Sequence, residues 1–215
     1  MSSDLVEITL LSLAVSGAAT LVSLLIGLPI GTWLALKRFR SRHLVLSVVN
    51  TGMALPPVVA GLFIAVLLWR SGILGGLGLM YTPGAMVIAE VVIATPIVIG
   101  LTVAALGQLD PRLQLQLQGL GASRRQTVWW LWREARLPLL AAVMAAFGSV
   151  ISEVGAAMMV GGNIAHETRV LTTAIVLETG RGEFGNAIVL GFVLLALAFI
   201  VNGVLTWAQQ RGPRR

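Results

Sequence analysis

Long stretches without a charged side chain decide what this chain can fold into. Residues 8–36 form the longest, with 29 positions that hold no Asp, Glu, Lys or Arg, whereas an α-helix needs only ~20 apolar residues to cross a bilayer. Four further apolar stretches hold at most one carboxylate each: 44–69, 84–106, 137–160 and 186–207. Since only 11% of residues are charged and the mean hydropathy is +0.91, the sequence predicts an all-α membrane protein with about five transmembrane helices.

The distribution of basic residues predicts how these helices are oriented. Of the 15 Lys and Arg, 12 lie in the first loop, in the segment between the third and fourth spans, and in the C-terminal tail. Only Arg70, Arg169 and Arg181 fall on the other side. Basic loops stay in the cytoplasm, so the N-terminus is predicted outside and the C-terminus inside. This grouping accounts for the net charge of +6 without a nucleic-acid partner, and residues 1–215 are predicted to form one domain embedded in lipid.

Glycine and proline interrupt two of the predicted spans. Gly27, Pro29 and Gly31 are predicted to bend the first span. Pro56 and Pro57 lie inside the second span, where they form either hinges or static kinks filled by neighbouring helices.

A short apolar run lies between the fourth and fifth spans. Val170–Leu177 is too short to cross a membrane. We therefore predict a short external helix at about residues 168–180, either re-entrant or lying at the interface.

Residues 108–136 form the one long polar and basic interruption of the apolar sequence. Asp110 before a proline is typical of a helix start, and Ser123 followed by Gln126 predicts a capping box that starts a second helix. The alternating Leu and Gln residues also fit a strand, but an isolated strand beside a bilayer would leave its backbone groups unpaired. Three leucines fall at helical spacing and predict one apolar stripe: Leu113, Leu117 and Leu120. We predict a short amphipathic cytoplasmic helix that contacts a soluble partner; the alternative is a solvated linker.

The sequence lacks the motifs for nucleotide binding, metal binding and hydrolysis. A Walker A loop needs Gly-Lys-Ser/Thr, but the only lysine, Lys37, follows Leu36. His43 and His166 are predicted on opposite sides of the membrane, so they cannot share a metal ion. No hydrolase motif appears. We therefore predict no catalytic residues, no metal site and no cofactor in this chain, and energy for any transport must come from a gradient or a partner.

The polar segment carries a first family resemblance. Gly121, Ala122, Ser123 and Arg124, followed by a basic aromatic helix and Leu137-Pro138, resemble the coupling loop of ABC-importer permeases. The resemblance implies that residues 108–136 dock on an ATPase subunit, which uses ATP and Mg. It assigns the coupling contacts to the three leucines of the stripe and to residues 121–124.

A second resemblance covers most of the chain and is strongest over residues 117–185. The run Ser152–Ile164 reads Ser-Glu-Val-Gly-Ala-Ala-Met-Met-Val-Gly-Gly-Asn-Ile, and Thr168–Ile175 follows it. Both are similar to permeases of the molybdate and tungstate type, the tungstate branch above all. This similarity implies a type I ABC-importer permease fold, a second copy of the chain, two ATP-binding cassette subunits, an external binding protein and an oxyanion substrate. Molybdate, sulfate or an amino acid remain alternatives, as does a nucleotide-independent channel or scaffold.

The fourth span supplies the candidate path for the anion. A stripe of small residues allows close helix packing or lines a narrow path; its members are Ala141, Ala145, Ser149, Ser152 and Ala156. Gly161, Gly162 and Asn163 are predicted to end this helix at an outer gate, because glycine and asparagine accept the left-handed conformation.

Charged residues near the gate are predicted to have structural roles. Because a bare carboxylate would repel tungstate, Glu153 is predicted to pair with Arg169 or with a backbone donor, or to be protonated. Arg169 alternatively draws anions to the outer mouth. Glu90, in the third span, is predicted to be a solvated or paired residue near the outer surface.

Overall fold

The computed structural model describes residues 2–37 and 39–210, which form α-helices joined by turns and a short 3-10 helix at Gly75–Leu77. Arg38 and the basic tail residues used in the orientation prediction, Arg211, Arg214 and Arg215, lie outside the described residues. The α-helices, in chain order, are α1 (Ser2–Leu36), α2 (Arg42–Met53), α3 (Pro57–Leu68), α4 (Pro83–Gly107), α5 (Pro111–Gly119), α6 (Arg124–Glu134), α7 (Arg136–Ile151), α8 (Gly155–Gly161), α9 (Leu171–Gly180) and α10 (Phe184–Gln210).

Three helices are long and apolar enough to cross a membrane alone, namely α1, α4 and α10. Two pairs of consecutive shorter helices meet the same criterion only when each pair is counted as one span. Both pairs are bent, α2 with α3 by 97° and α6 with α7 by 75°. Within the described residues the chain therefore has three candidate spans, or up to five if each bent pair counts as one.

The predicted second span, 44–69, is not one helix. Helix α2 ends at Met53, and α3 begins at Pro57 after Pro56 in an extended conformation (φ −58°, ψ 124°). A proline has no N–H for the helical ladder, and it forces the residue before it out of the helical region. The two prolines therefore form a sharp corner between two helices, rather than a kink within one.

The predicted fourth span, 137–160, is also interrupted. Helix α7 ends at Ile151, and the chain leaves the helix for three residues before α8 begins at Gly155. The Ser152 hydroxyl turns back and donates to the carbonyl of Gly148 at 2.8 Å. Such bonds from serine to its own helix compete with the backbone ladder and bend or end helices.

Helices α1 and α4 pack closely through two glycines. Gly27 and Gly31 form a Gly-x-x-x-Gly pair, a pattern that lets helix backbones approach in a membrane. A Cβ added to Gly31 would lie 2.7 Å from the Thr102 Cβ and 2.9 Å from the Ile99 carbonyl oxygen. Helix α1 continues through Pro29, so the bend predicted there does not end the helix, and the two glycines pack against α4.

The largest buried cluster joins α3, α4 and α8 through small side chains. Ala60, Ala89 and Ala156 are each at most 1% exposed. Gly61 of α3 lies so near α8 that a Cβ would approach the Ala156 Cα to 2.6 Å. In contrast, α10 buries little of its surface: Leu190 packs against α9, whereas Phe192, Leu195 and Phe199 are 68%, 65% and 78% exposed. This helix leaves a continuous apolar face for lipid or for another protein.

Candidate functional site

The polar segment after α4 folds into two capped helices. Asp110 accepts a hydrogen bond from the Arg112 N–H at 2.8 Å and starts α5. Ser123 and Gln126 form the capping box that starts α6, with the Ser123 N–H donating to the Gln126 side chain at 2.8 Å. The prediction of helices rather than a strand is therefore confirmed.

The three leucines of the predicted stripe do not share one exposed face. Leu113 packs against the cluster of Leu106 and Leu131, where α4 and α6 meet. Leu117 is half-buried, whereas Leu120 is 85% exposed at the end of α5. Leu115, which is not part of the stripe, is 67% exposed. The apolar surface of α5 and its C-terminal end therefore consists of Leu115 and Leu120, and α6 adds Trp129 and Trp130, which are 64% and 47% exposed.

Residues 121–124 form the tight connection between α5 and α6. Gly121 has φ 81°, in the left-handed region that glycine adopts without strain. The Ala122 N–H donates to the Leu117 carbonyl at 3.0 Å, which closes the end of α5. Arg124 opens α6 and is exposed. The orientation of α6 relative to α5 is thus fixed by local hydrogen bonds.

The turn after α8 has the predicted helix-ending conformation. Gly162 and Asn163 both lie in the left-handed region, with φ 71° and 55°. The Thr168 hydroxyl donates to the Gly161 carbonyl and accepts a bond from the Ile164 N–H, so this side chain closes the turn. The Asn163 amide donates to the Thr173 carbonyl at 3.3 Å and joins the turn to α9.

Glu153 and Arg169 have different partners. The Glu153 carboxylate accepts from the Ala156 N–H at 3.0 Å and caps the first turn of α8. The Arg169 guanidinium donates to the side-chain and backbone oxygens of Asn163, at 3.2 and 3.3 Å. Of the two predicted partners of Glu153, the structure therefore contains the backbone donor and not Arg169. The Thr172 hydroxyl also donates to the Glu153 carbonyl at 2.8 Å, which ties α9 to the break between α7 and α8.

The predicted stripe of small residues is split by this break. Ala141 and Ala145 are exposed on α7, Ser149 is half-exposed, and Ser152 is exposed just after the helix ends. Ala156 lies beyond the break and is fully buried against α3. A prediction that treats residues 137–160 as one helix places Ala156 on the wrong face. The exposed small surface is confined to α7 and Ser152.

Glu90 is buried, which contradicts the solvated alternative of its prediction but not the paired one. It is 2% exposed and lies in the first third of the apolar α4. Ser16 is its hydrogen-bonding neighbour, Glu153 is a nearby charge, and its Oε2 has no hydrogen-bond partner. The sequence signal was a lone carboxylate within 84–106, but the depth of burial depends on helices that pack from elsewhere in the chain.

An exposed contact between α1 and the loop after α8 was not predicted. The His166 Nδ1 lies 2.9 Å from a carboxylate oxygen of Glu7. This hydrogen bond, and then the charge of Glu7, raise the pKa of His166; Asp4 acts in the same direction and Arg169 opposes it. A raised pKa means that the contact contributes fully below the ordinary histidine value of about 6.5 and is lost as the pH rises through the raised value.

The titration of His166 tests this contact. In the Glu7→Gln variant we expect its pKa to fall toward the ordinary histidine value, because the charged acceptor is gone. Nuclear magnetic resonance of labelled histidine in detergent reports both imidazoles, and His43, the other histidine, serves as the internal control. An unchanged His166 titration would show that the two side chains do not interact in the protein.

Long apolar helices packed through glycine and alanine, with a capped helical pair at the basic end, define a multi-pass membrane protein of the permease class. The chain belongs to the family of inner membrane components of binding-protein-dependent transport systems, whose model matches residues 27–212. It is therefore a multi-pass protein of the cell membrane and a transport permease subunit.

Relatives match nearly the whole chain. A probable anion ABC transporter permease of Haloferax volcanii is 38% identical, covering 98% of this chain and 93% of the relative. A tungstate uptake system permease of Peptoclostridium acidaminophilum is 37% identical, covering 94% and 89%. A molybdenum transport system permease of Escherichia coli is 30% identical, covering 94% and 92%.

The fold is that of solved ABC-importer membrane subunits. An inward-facing structure of the methionine ABC transporter MetNI matches with a TM-score of 0.75 at 23% identity, covering 98% of this chain and 95% of that one. At this identity the likeness shows the fold alone. The expected type I ABC-importer permease fold is confirmed.

Proposed function

We propose that this chain is the membrane subunit of an ATP-driven importer that moves an oxyanion, tungstate, from an external binding protein into the cytoplasm by alternating access. The observation that carries this proposal is the 37% identity to a tungstate uptake permease over 94% of the chain. The run Ser152–Ile164, which resembles the tungstate branch, forms the α7–α8 break and the turn after α8. Molybdate is the second candidate, since a molybdenum permease is 30% identical.

The proposed assembly contains two copies of this chain, two ATP-binding cassette subunits and the binding protein. ATP and Mg act in the cassette subunits. The exposed apolar face of α10 and the exposed small residues of α7 offer surfaces for lipid and for the second copy. In this assembly the small side chains of α7, with Ser149 and Ser152, line the path between the copies.

The turn after α8 serves as the outer gate in this proposal. Its geometry favours such a role, because hydrogen bonds join Asn163 to Arg169 and to the Thr173 carbonyl, so that the turn is tied to α9. Glu153 holds the break beneath it through the Ala156 N–H. Neither Glu153 nor Arg169 needs to bind the anion directly.

Uptake into proteoliposomes tests the cargo and the energy source together. The chain is reconstituted with its cassette subunit, ATP is enclosed, and the binding protein and labelled tungstate are added outside. We expect tungstate to accumulate only with ATP, and excess sulfate to leave uptake unchanged. Equal flux with and without ATP would identify a channel instead, and stronger competition by molybdate than by unlabelled tungstate would reassign the cargo.

A further inference from the structure

A cavity of about 850 Å³ lies where the end of α1 meets α5 and α6. Such a volume is within the range of about 300–1,000 Å³ that is typical of small-molecule sites. Its walls include Thr32, Trp33 and Lys37 from α1, and Arg124 and Trp132 from α6. The cavity does not overlap the turn after α8, and its walls bring together residues about 90 positions apart in the chain.

One wall of the cavity is held by a bond between helices. The Trp132 indole N–H donates to the Thr32 hydroxyl at 2.8 Å, and Thr32 itself is 5% exposed. This hydrogen bond holds α6 against α1, so the two helices that form this wall of the cavity are fixed relative to each other. Trp33 lies near the end of α1, just before the charged residues begin, and Trp132 of α6 is bonded to the neighbouring Thr32. Tryptophan is enriched at membrane–water interfaces.

The charges around the cavity are cationic. Lys37 and Arg124 are exposed at its walls, and the described residues that line it include no carboxylate. The Lys37 ammonium lies 5.7 Å from the centre of the Trp33 ring, which places a positive charge beside an apolar surface. A ligand with an anionic head and an apolar body matches this arrangement.

An exposed apolar strip continues from the cavity along α1. The lining residues Pro29 and Trp33 share a helix face with Val22, Leu25 and Ile26, one and two turns nearer the helix start. These three side chains are 37%, 73% and 41% exposed. A free inorganic anion would make no contact with this apolar strip, whereas the acyl chain of a lipid would cover it.

We propose that this cavity binds an anionic phospholipid, with its phosphate held by Lys37 and Arg124 and one acyl chain along Val22, Leu25 and Ile26. Basic pockets between transmembrane helices at the cytoplasmic side are suited to anionic lipid headgroups. Since the cavity is shared by α1 and the segment of α5 and α6, the bound lipid joins the membrane helix to that segment. The proposal does not depend on which anion is transported.

Native mass spectrometry of the full chain in detergent tests the site with phosphatidylglycerol and phosphatidylcholine as probes. We expect the chain to retain phosphatidylglycerol in preference to phosphatidylcholine. The double variant Lys37→Gln, Arg124→Gln should bind phosphatidylglycerol roughly thirtyfold more weakly, about fivefold for each basic side chain lost near an anionic surface. Far-ultraviolet circular dichroism shows whether each variant keeps its helix content.

The matched control is Arg40→Gln with Arg125→Gln. It removes the same charge from two exposed residues that neighbour the site but do not line it. Equal loss of phosphatidylglycerol in both double variants would show a diffuse charge effect and overturn the proposal. Retention of both lipids alike, or displacement of phosphatidylglycerol by millimolar inorganic phosphate, would also overturn it.

Discussion

Gly31→Ala should destabilise the folded protein by about 1–3 kcal/mol, the usual cost of extra atoms in a filled interior. The new methyl group would meet the Thr102 Cβ and the Ile99 carbonyl oxygen, and the backbone oxygen cannot move aside as a flexible side chain does. Helices α1 and α4 would have to separate, and α4 also packs against the α3–α8 cluster. Thermal unfolding in detergent, with the yield of monodisperse protein, measures the effect.

Gly17→Ala on the same helix is the matched control. A Cβ at Gly17 has no neighbour within 4 Å. Alanine in a helix interior is more favourable than glycine by about 1 kcal/mol. We therefore expect the two substitutions to shift the unfolding temperature in opposite directions. A Gly31→Ala protein as stable as wild type would show that the close approach of α1 and α4 does not exist.

The double variant Leu115→Asp, Leu120→Asp should lose binding to the cassette subunit by at least about a hundredfold. Burial of each leucine in a partner's groove contributes about 1.5–3 kcal/mol, and an aspartate there is costly to desolvate. Both side chains are more than half exposed in the isolated chain, so the variant should fold normally. Co-purification and ATP-dependent uptake measure the loss.

The control replaces two exposed apolar residues at the other end of α4. Ile73 and Leu77 are 89% and 62% exposed, and α4, with its 25 residues, separates this loop from α5 by about 37 Å at ~1.5 Å per residue. Ile73→Asp with Leu77→Asp should leave binding to the cassette subunit unchanged. If the Leu115 and Leu120 variant binds the cassette subunit as wild type does, the segment is a solvated linker and the proposed coupling role fails.

Local signals in the sequence were sufficient for three of the helix ends. Asp110, Ser123 and Gly162 each act on backbone groups within four residues, so their roles depend on no distant part of the chain. The long uncharged stretches likewise predicted α1, α4 and α10, because the bilayer sets a length that composition alone can meet.

Features that depend on a distant partner could not be predicted. Gly27 and Gly31 have the same sequence pattern whether or not another helix packs on them, and only the position of Val98 and Thr102 shows that they face α4. The prediction that Leu113 is available to a partner was wrong for a related reason. Its spacing fits a helix stripe, but α6 folds back and covers it.

The break between α7 and α8 also escaped prediction, because the apolar stretch continues on both sides of it, and Ser152 and Glu153 alone do not mark the end of a helix. Its backbone groups are satisfied by the side chains of Ser152, Glu153 and Thr172. Hydrogen bonds of this kind contribute about 1 kcal/mol each.

Because the helical ladder is interrupted at residues 152–154, the angle between α7 and α8 can change without breaking either helix. Reorientation of α7 against the α3–α8 pair would exchange the side-chain bonds at the break and shift the packing of Ala146 and Val150 on α4, without unwinding α7 or α8. Force applied at the α6 end of α7 would therefore be absorbed at residues 152–154 rather than spread along a continuous rod. The side chains of Ser152, Glu153 and Thr172 set the stiffness of this joint. They therefore set how much of a movement at the α6 end of α7 is transmitted to the turn after α8.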